Sequence, residues 1–390
     1  MEHLIKKSLM SFFVLTALSP IQIPSIVLAN AETTAESSSI ESTADTSTTE
    51  SQTTQEENVE YDFDTLMEVG LQVEGTVITI GQIVDGQASY TVYTAEGAED
   101  FGNAYEYELG SITKTFTGTL IAKAVDEGLI SLDEPISTYI NFNSEETFPT
   151  VLQLLTHTSG YPTLFENDTM AENIEAGANP FMGISKDTLI AEAAENLPDM
   201  TQAHPYEYSN FNAALLGLLL EAVYGTNYYD LANTFVADQL QLPNTYLFEN
   251  ELELGNNWIW SPEDAYAPAG AMVSNIEDML LYLDMQMNPE VNVPARPWID
   301  QSHQSLATVD ATTEENNALN IRHDEMAYLW ILDTENNIIY HDGSTEGYTS
   351  YIGFNPEEQI GVVVLANLPL ESGVPGAALG AQLLTDLLNN

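Results

Sequence analysis

Cysteine is absent from the 390 residues. That excludes disulfides, a thiol nucleophile, a thiolate metal site and a lipid-modified N-terminal cysteine. Positive charge is nearly as scarce, with seven Lys+Arg against 60 Asp+Glu and a formal net charge of -53. A phosphate-binding surface needs clustered Lys and Arg, so no nucleic-acid or anionic-membrane partner is expected. Such acidity suits a solvated exterior in salty or cation-rich surroundings and says nothing about fold. Several catalytic signatures are also missing. None of the six histidines forms His-Glu-x-x-His, which a zinc hydrolase would carry. The stretch "GSTEG" from Gly343 to Gly347 has its serine in the wrong place for a Gly-x-Ser-x-Gly elbow. Neither a phosphate-cradling glycine loop nor a dinucleotide fingerprint occurs, so neither cofactor nor metal is expected.

What is present suffices for a full core, at 44% apolar content. Lys6 and Lys7 precede an apolar stretch that ends in small residues from Ala29 to Ala31, which reads as an export signal over residues 1–31. Pro20 and Pro24 break that stretch before it reaches the roughly 20 residues a membrane span needs. Residues 32–58 are almost all Thr, Ser, Glu and Ala. Nothing there offsets the entropy of ordering, so a disordered spacer is expected. The remainder, 59–390, reads as one catalytic domain of a secreted, possibly wall-associated protein.

Both ends of that domain carry β signals and its middle carries helical ones. "LQVEGTVITIGQIVDGQASYTVYTA" has β-branched runs parted by Gly and Asp-Gly turns, and "TSYIGFNPEEQIGVVVLAN" reads as two strands joined by Asn-Pro-Glu-Glu. Between them, "SITKTFTGTLIAKAVDEGLI" places Ile112, Phe116, Leu120, Ile121 and Val125 near helical spacing and closes at Gly128. "GAALGAQLLTDLLN" reads as a final helix. The expected fold is α/β (α+β): a central antiparallel sheet formed by both ends of the domain, flanked by helices, with an inserted mainly helical region.

Three polar groups lie in apolar settings. Ser111 and Lys114 stand three residues apart at the front of a helix, on one face and within reach of each other. Helix capping by Ser111 is the competing explanation. Tyr208 and Asn210 sit just before a strongly apolar helix, and His341, Asp342 and Gly343 end an apolar strand-like run. A satisfied core tyrosine and a satisfied strand histidine are the competing explanations there.

Taken in this order, Ser-x-x-Lys, Tyr-Ser-Asn and His-Asp-Gly resemble the serine penicillin-recognising enzymes: class C β-lactamases, DD-peptidases and related esterases. "LLTHTSGYP" from Leu154, "YAPAGAMVSNIEDMLLYL" from Tyr266 and the closing "GVVVLAN" also look like that family. The resemblance implies that Ser111 is the acylated nucleophile and that Lys114 and Tyr208 share its proton, Tyr208 passing it to the leaving group. It also implies that Asn210 holds Lys114 and the substrate amide, and that the backbone N–H groups of Ser111 and Ser344 form an oxyanion hole, with His341 and Gly343 in the supporting strand.

Class C β-lactamases carry Lys-Thr-Gly where this chain has His341-Asp342-Gly343, so it resembles the His-x-Gly members. Asp342 would repel a substrate carboxylate, unless Arg322 swings in. The resemblance therefore implies a DD-carboxypeptidase or esterase acting on cell-wall-derived or small acyl substrates, with a class C β-lactamase or a non-catalytic wall module as alternatives. Lys123, Lys186, Arg296 and Arg322 lack any such motif and are expected to be surface or ion-pair residues. The acidic field is expected to favour the protonated form of Lys114, with burial pulling the other way.

Overall fold

The computed structural model describes residues 62–99, 105–247, 250–288, 296–369 and 372–390. The expected export signal and spacer lie outside the described residues, as does the expected domain start at 59.

The Asp85-Gly86 turn joins β1 (Val77–Val84) to β2 (Gln87–Thr94), and both of its residues take positive φ, as a tight hairpin demands. The order of the large antiparallel sheet is β3-β2-β1-β12-β11-β10-β9-β8-β7. Its remaining strands are β3 (Gly97–Glu99), β7 (Ala307–Thr308), β8 (Glu325–Met326), β9 (Ile331–Asp333), β10 (Ile338–Ser344), β11 (Thr349–Asn355) and β12 (Ile360–Ala366). β1 pairs with β12 from Ile78 opposite Ala366 to Ile83 opposite Gly361. The two ends of the domain thus close one sheet, as the sequence pattern predicts. A second sheet is small, with β4 (Glu106–Glu108) and β5 (Tyr246–Leu247) on either side of β6 (Met272–Asn275).

The apolar run in β12 has no polar face because both faces are covered. Val363 and Leu365 join the larger core, while Val362, Val364 and Ala366 join the smaller one, the period of two expected of a strand. Helix α1 (Phe63–Gly70) and the C-terminal helix, Gly376–Leu388, cover the second of these faces. The larger core holds the helical middle: α2 (Thr113–Asp126), α3 (Asn210–Tyr224) and α4 (Ile276–Met287), with the short helix Ala267–Gly270 between α2 and α3.

Helix α2 is buried along almost its whole length. It approaches the turn between β8 and β9 so closely that a Cβ on Gly118 would stand 1.8 Å from the carbonyl oxygen of Tyr328. The next residue, Leu329, is itself held at φ 61, a conformation costly for a side chain of its size. Alanine at 118 would gain about 1 kcal/mol of helix propensity. Overpacking against backbone costs about 1–3 kcal/mol or more, and no rotamer change relieves a contact with a main-chain oxygen. The cost wins. Gly118→Ala should lower the urea unfolding midpoint, with a net loss of about 1–2 kcal/mol; a midpoint at or above that of the wild type would show that the helix and turn part freely.

Candidate active site

Ser111 lies in a 3-10 turn, Gly110–Ile112, that runs into α2. It caps nothing: the N-cap position of α2 is Ile112, with no side-chain cap bond. The Ser111 hydroxyl instead meets Lys114, whose Nζ is 3.0 Å from Oγ. Two further acceptors hold the amine, Asn210 Oδ1 at 2.7 Å and the Ala269 carbonyl at 2.7 Å. The Tyr208 ring lies below it, with its centroid 5.0 Å from Nζ.

The segment carrying Tyr208 and Asn210 is clamped from the side by "LLTHTSGYP". His157 accepts from the Ser209 amide at Nδ1, and its carbonyl accepts from the Glu207 amide. Thr163 donates to the Tyr208 carbonyl. Ser209 caps α3 by accepting from the Asn212 amide, and donates its own hydroxyl to Pro162. One side of Tyr208 is therefore fixed by helix capping and the other by the histidine loop.

Strand β10 brings His341, Asp342, Gly343 and Ser344. Its partner β9 pairs only as far as Tyr340, so from His341 onward this edge faces the Ser111 turn. The approach is backbone on backbone. A Cβ on Gly343 would meet the Leu109 carbonyl at 2.1 Å and the Ser111 amide at 2.9 Å. Across the junction, Gly110 takes φ 49, and a Cβ there would stand 2.8 Å from the Ser344 amide. Two glycines, one of them at positive φ, let the amides of Ser111 and Ser344 come to the same place.

Two side-chain struts hold this junction. Ser350 on β11 donates to the Leu109 carbonyl at 2.8 Å. Glu108 is buried; it accepts from the Thr345 hydroxyl at 2.6 Å and from the Trp258 amide at 2.8 Å. It thus ties the residue after Ser344 to the strand before Ser111. Burial pushes its carboxyl up to about 8. Sequence reasoning assigned no role to Glu108, His157 or Ser350; the signals were the position of Glu108, three residues before the serine, and the presence of His157 in the family-like stretch "LLTHTSGYP".

The electrostatics separate the two proton-carrying groups. Burial holds the Lys114 amine well below the usual lysine range, against the opposing pull of Asp342. Nearby negative charge pulls toward the protonated form, as expected, but the amine is fully buried and the loss of its hydration is the larger of the two effects. Burial also holds the Tyr208 phenol well above its ordinary value, although its neighbour Ser111 offsets part of this. The Tyr208 hydroxyl makes no hydrogen bond of normal geometry among the described residues. Arg322 does not swing in. Its guanidinium is taken by Asp324 at 3.0 Å, Glu335 at 2.9 Å and Asp333 at 3.7 Å. Lys123 pairs with Glu127, Lys186 with Glu221, and Arg296 contacts the Met285 sulfur. No cluster of metal-ligating side chains occurs among the described residues.

The profile of the family described as Beta-lactamase matches residues 87–385. "Protein flp" of Staphylococcus aureus strain MW2 is 27% identical over 284 residues, covering 68% of this chain and 53% of its own length. The chain thus spans about half the length of the curated relatives it first matches. The octameric penicillin-binding protein homologue from Pyrococcus abyssi superposes with a TM-score of 0.67 at 24% identity, over 84% of this chain and 77% of that one. A class C beta lactamase from Rhodobacter sphaeroides gives 0.62 at 22% identity, over 84% and 98%. At such identities these two structures speak for the fold. The family profile runs from β2 onward through both sheets and the Ser111, Tyr208 and His341 segments, and on that ground the chain belongs to the beta-lactamase family, with the fold of its serine hydrolases.

Proposed function

We propose that this chain is an exported serine hydrolase that works through an acyl-enzyme on Ser111, as a DD-carboxypeptidase or esterase on cell-wall-derived or small acyl substrates. The observation that carries the reading is the hydrogen bonding of Lys114. A neutral amine has two N–H groups and one lone pair. Asn210 Oδ1 and the Ala269 carbonyl can only accept, and both stand 2.7 Å away. They take the two N–H groups and turn the lone pair toward the Ser111 hydroxyl, 3.0 Å off. Burial favours the neutral state. A base within hydrogen-bond reach of a hydroxyl is what an activated nucleophile requires.

The remaining roles follow the same logic. Lys114 takes the Ser111 proton as Oγ attacks the acyl carbonyl. The oxyanion that forms is met by the amides of Ser111 and Ser344, each worth about 3 kcal/mol where such donors are preorganised. Tyr208, kept a neutral phenol by burial, protonates the leaving group and recovers a proton from Lys114. Water then attacks the acyl-enzyme by the reverse sequence. Asn210 orients Lys114 and offers its amide to the substrate. His341 and Gly343 shape the strand that carries Ser344. Of the two activities, Asp342, standing where a class C β-lactamase has threonine, favours the esterase, because a DD-carboxypeptidase substrate ends in a carboxylate that Asp342 would repel.

Export is read from residues 1–31, and wall association from the acidic spacer. Among the described residues no helix is long and apolar enough to cross a membrane.

Ser111→Ala should abolish covalent labelling by a fluorophosphonate or a fluorescent penicillin and lower ester turnover by at least about 10⁴-fold, with little change in far-UV signal or melting, because Ser111 is neither a cap nor a core apolar residue. Equal labelling of variant and wild type would remove the assignment.

The pH profile follows from the depressed lysine. Activity needs the unprotonated amine, so kcat/KM for a neutral ester should fall as pH drops through the apparent pKa of the Lys114–Tyr208 pair, and this acid limb should lie far below the ordinary lysine range. Burial rather than the screenable outer field sets it. The limb should therefore stay fixed as salt rises from about 0.01 to 0.1 M, where the Debye length falls from about 30 to 10 Å. A limb that moves to lower pH with salt would assign control to the acidic surface instead.

A further inference from the structure

Glu108 is a buried acid to which the proposed reaction gives no step. No basic side chain among the described residues pairs with it. Lys114 is taken up at the nucleophile, and the other four have contacts of their own. The nearest charge that acts on Glu108 is another acid, Glu346. A carboxyl buried without a counter-ion is costly, and the two hydrogen bonds from Thr345 and Trp258 are what offset that cost here.

Those two bonds lie at a joint of three segments. Strand β4 supplies Glu108. The turn from β10 to β11 supplies Thr345, the residue after Ser344, whose hydroxyl donates to Glu108 and accepts from the Tyr348 amide at 3.2 Å. Where Glu108 holds that hydroxyl therefore decides the shape of the turn. The third segment is the loop 255–258. Trp258 donates its amide to Glu108, the Gly255 carbonyl accepts from the Tyr348 hydroxyl at 2.7 Å, and a Cβ on Gly347 would stand 2.2 Å from the Asn256 carbonyl oxygen. Loop and turn thus meet main chain to main chain, and Glu108 is bonded to both. Because β9 pairs with β10 only as far as Tyr340, the end of β10 that carries the Ser344 amide relies on β11 and on this joint for its place.

We propose that Glu108 is a positioning residue for the reaction: through Thr345 and Trp258 its carboxyl group fixes the Ser344 amide against the Ser111 turn, and so governs stabilisation of the oxyanion without touching substrate. The inference rests on the serine-hydrolase reading of the same site and goes further by giving turnover a dependence on a side chain outside the acylation machinery. An oxyanion donor is effective only when held within about 0.5 Å of its productive place. Ser344 carries no side-chain restraint of that kind itself; its neighbour does.

The test compares Glu108→Ala, Glu108→Gln and Thr345→Val with the wild type on p-nitrophenyl acetate, using the full chain, and measures inhibition of each by phenylboronic acid, whose tetrahedral adduct on a serine hydroxyl places an oxygen where the oxyanion forms. Burial pushes the Glu108 carboxyl toward its neutral form, which glutamine matches with one acceptor and one donor edge. Glu108→Gln should therefore keep kcat within about threefold of the wild type. Glu108→Ala should lower kcat and kcat/KM together by about 10–100-fold with KM within about twofold, the pattern of an interaction made only in the transition state. Its affinity for phenylboronic acid should fall by a similar factor. Thr345→Val removes the hydroxyl with little change in volume and decides the matter if Glu108→Ala does not fold; it should lose about tenfold in kcat in the same pattern. Folded Glu108→Ala or Thr345→Val protein with wild-type kcat, a loss confined to KM, or a Glu108→Gln variant as impaired as Glu108→Ala overturns the positioning role and leaves the hydrolase reading standing. Ester turnover by the wild type that Ser111→Ala does not remove overturns the hydrolase reading itself, and this role with it.

Discussion

A single desolvated amine organises this site. An amine at the position of Lys114, stripped of water, has to find acceptors, and those it finds come from three separate parts of the chain: the Ser111 turn, the start of α3 and the short helix Ala267–Gly270. Each of those parts is in turn pinned by its own contacts. Met272 donates its amide to Thr113 Oγ1 and accepts from the Leu109 amide, and Thr117 donates to the Pro268 carbonyl. The "LLTHTSGYP" loop fixes the α3 entry. Shifting any of them by an ångström would leave an amine proton or its lone pair without a partner in a dry setting. The same burial that lowers the pKa of the amine makes its surroundings rigid, so preorganisation and pKa have one cause.

The strand edge is held by a different principle, steric rather than electrostatic. At Gly110 and Gly343 the main chains touch without side chains between them, and Ser350 and Glu108 stop the two layers sliding. Glu108 is one acid among 60 in the composition, yet it is nearly invisible to solvent. It spends its two oxygens on a hydroxyl and an amide that belong to other elements.

Much of this was legible in the sequence, for identifiable reasons. The β1–β2 hairpin, β11 and β12 were readable because their apolar runs are long and their turns carry Asp-Gly or Asn-Pro. Ser111 and Lys114 were readable because a spacing of three has only one geometric meaning on a helix. Strands β7, β8 and β9 have two or three residues each and take their identity from neighbours along the sheet, so no local pattern announces them. The direction in which Lys114 is shifted was also illegible: composition counts charges and is silent on depth, and depth decides. His157 and Glu108 escaped notice because a side chain that serves by bracing a backbone leaves no periodic trace.

The closing of the large sheet by its two ends carries a consequence for how the site comes into being. Ser111 and Lys114 are built early in the chain, but the strand that supplies Ser344 pairs with β11, β11 with β12, and β12 with β1. Contacts this distant in sequence form late and slowly. A partly synthesised chain therefore holds Ser111 and Lys114 without the strand that brings the Ser344 amide to them. The site is complete only once residues near the C-terminus have paired, so its parts stay apart until the whole sheet has closed.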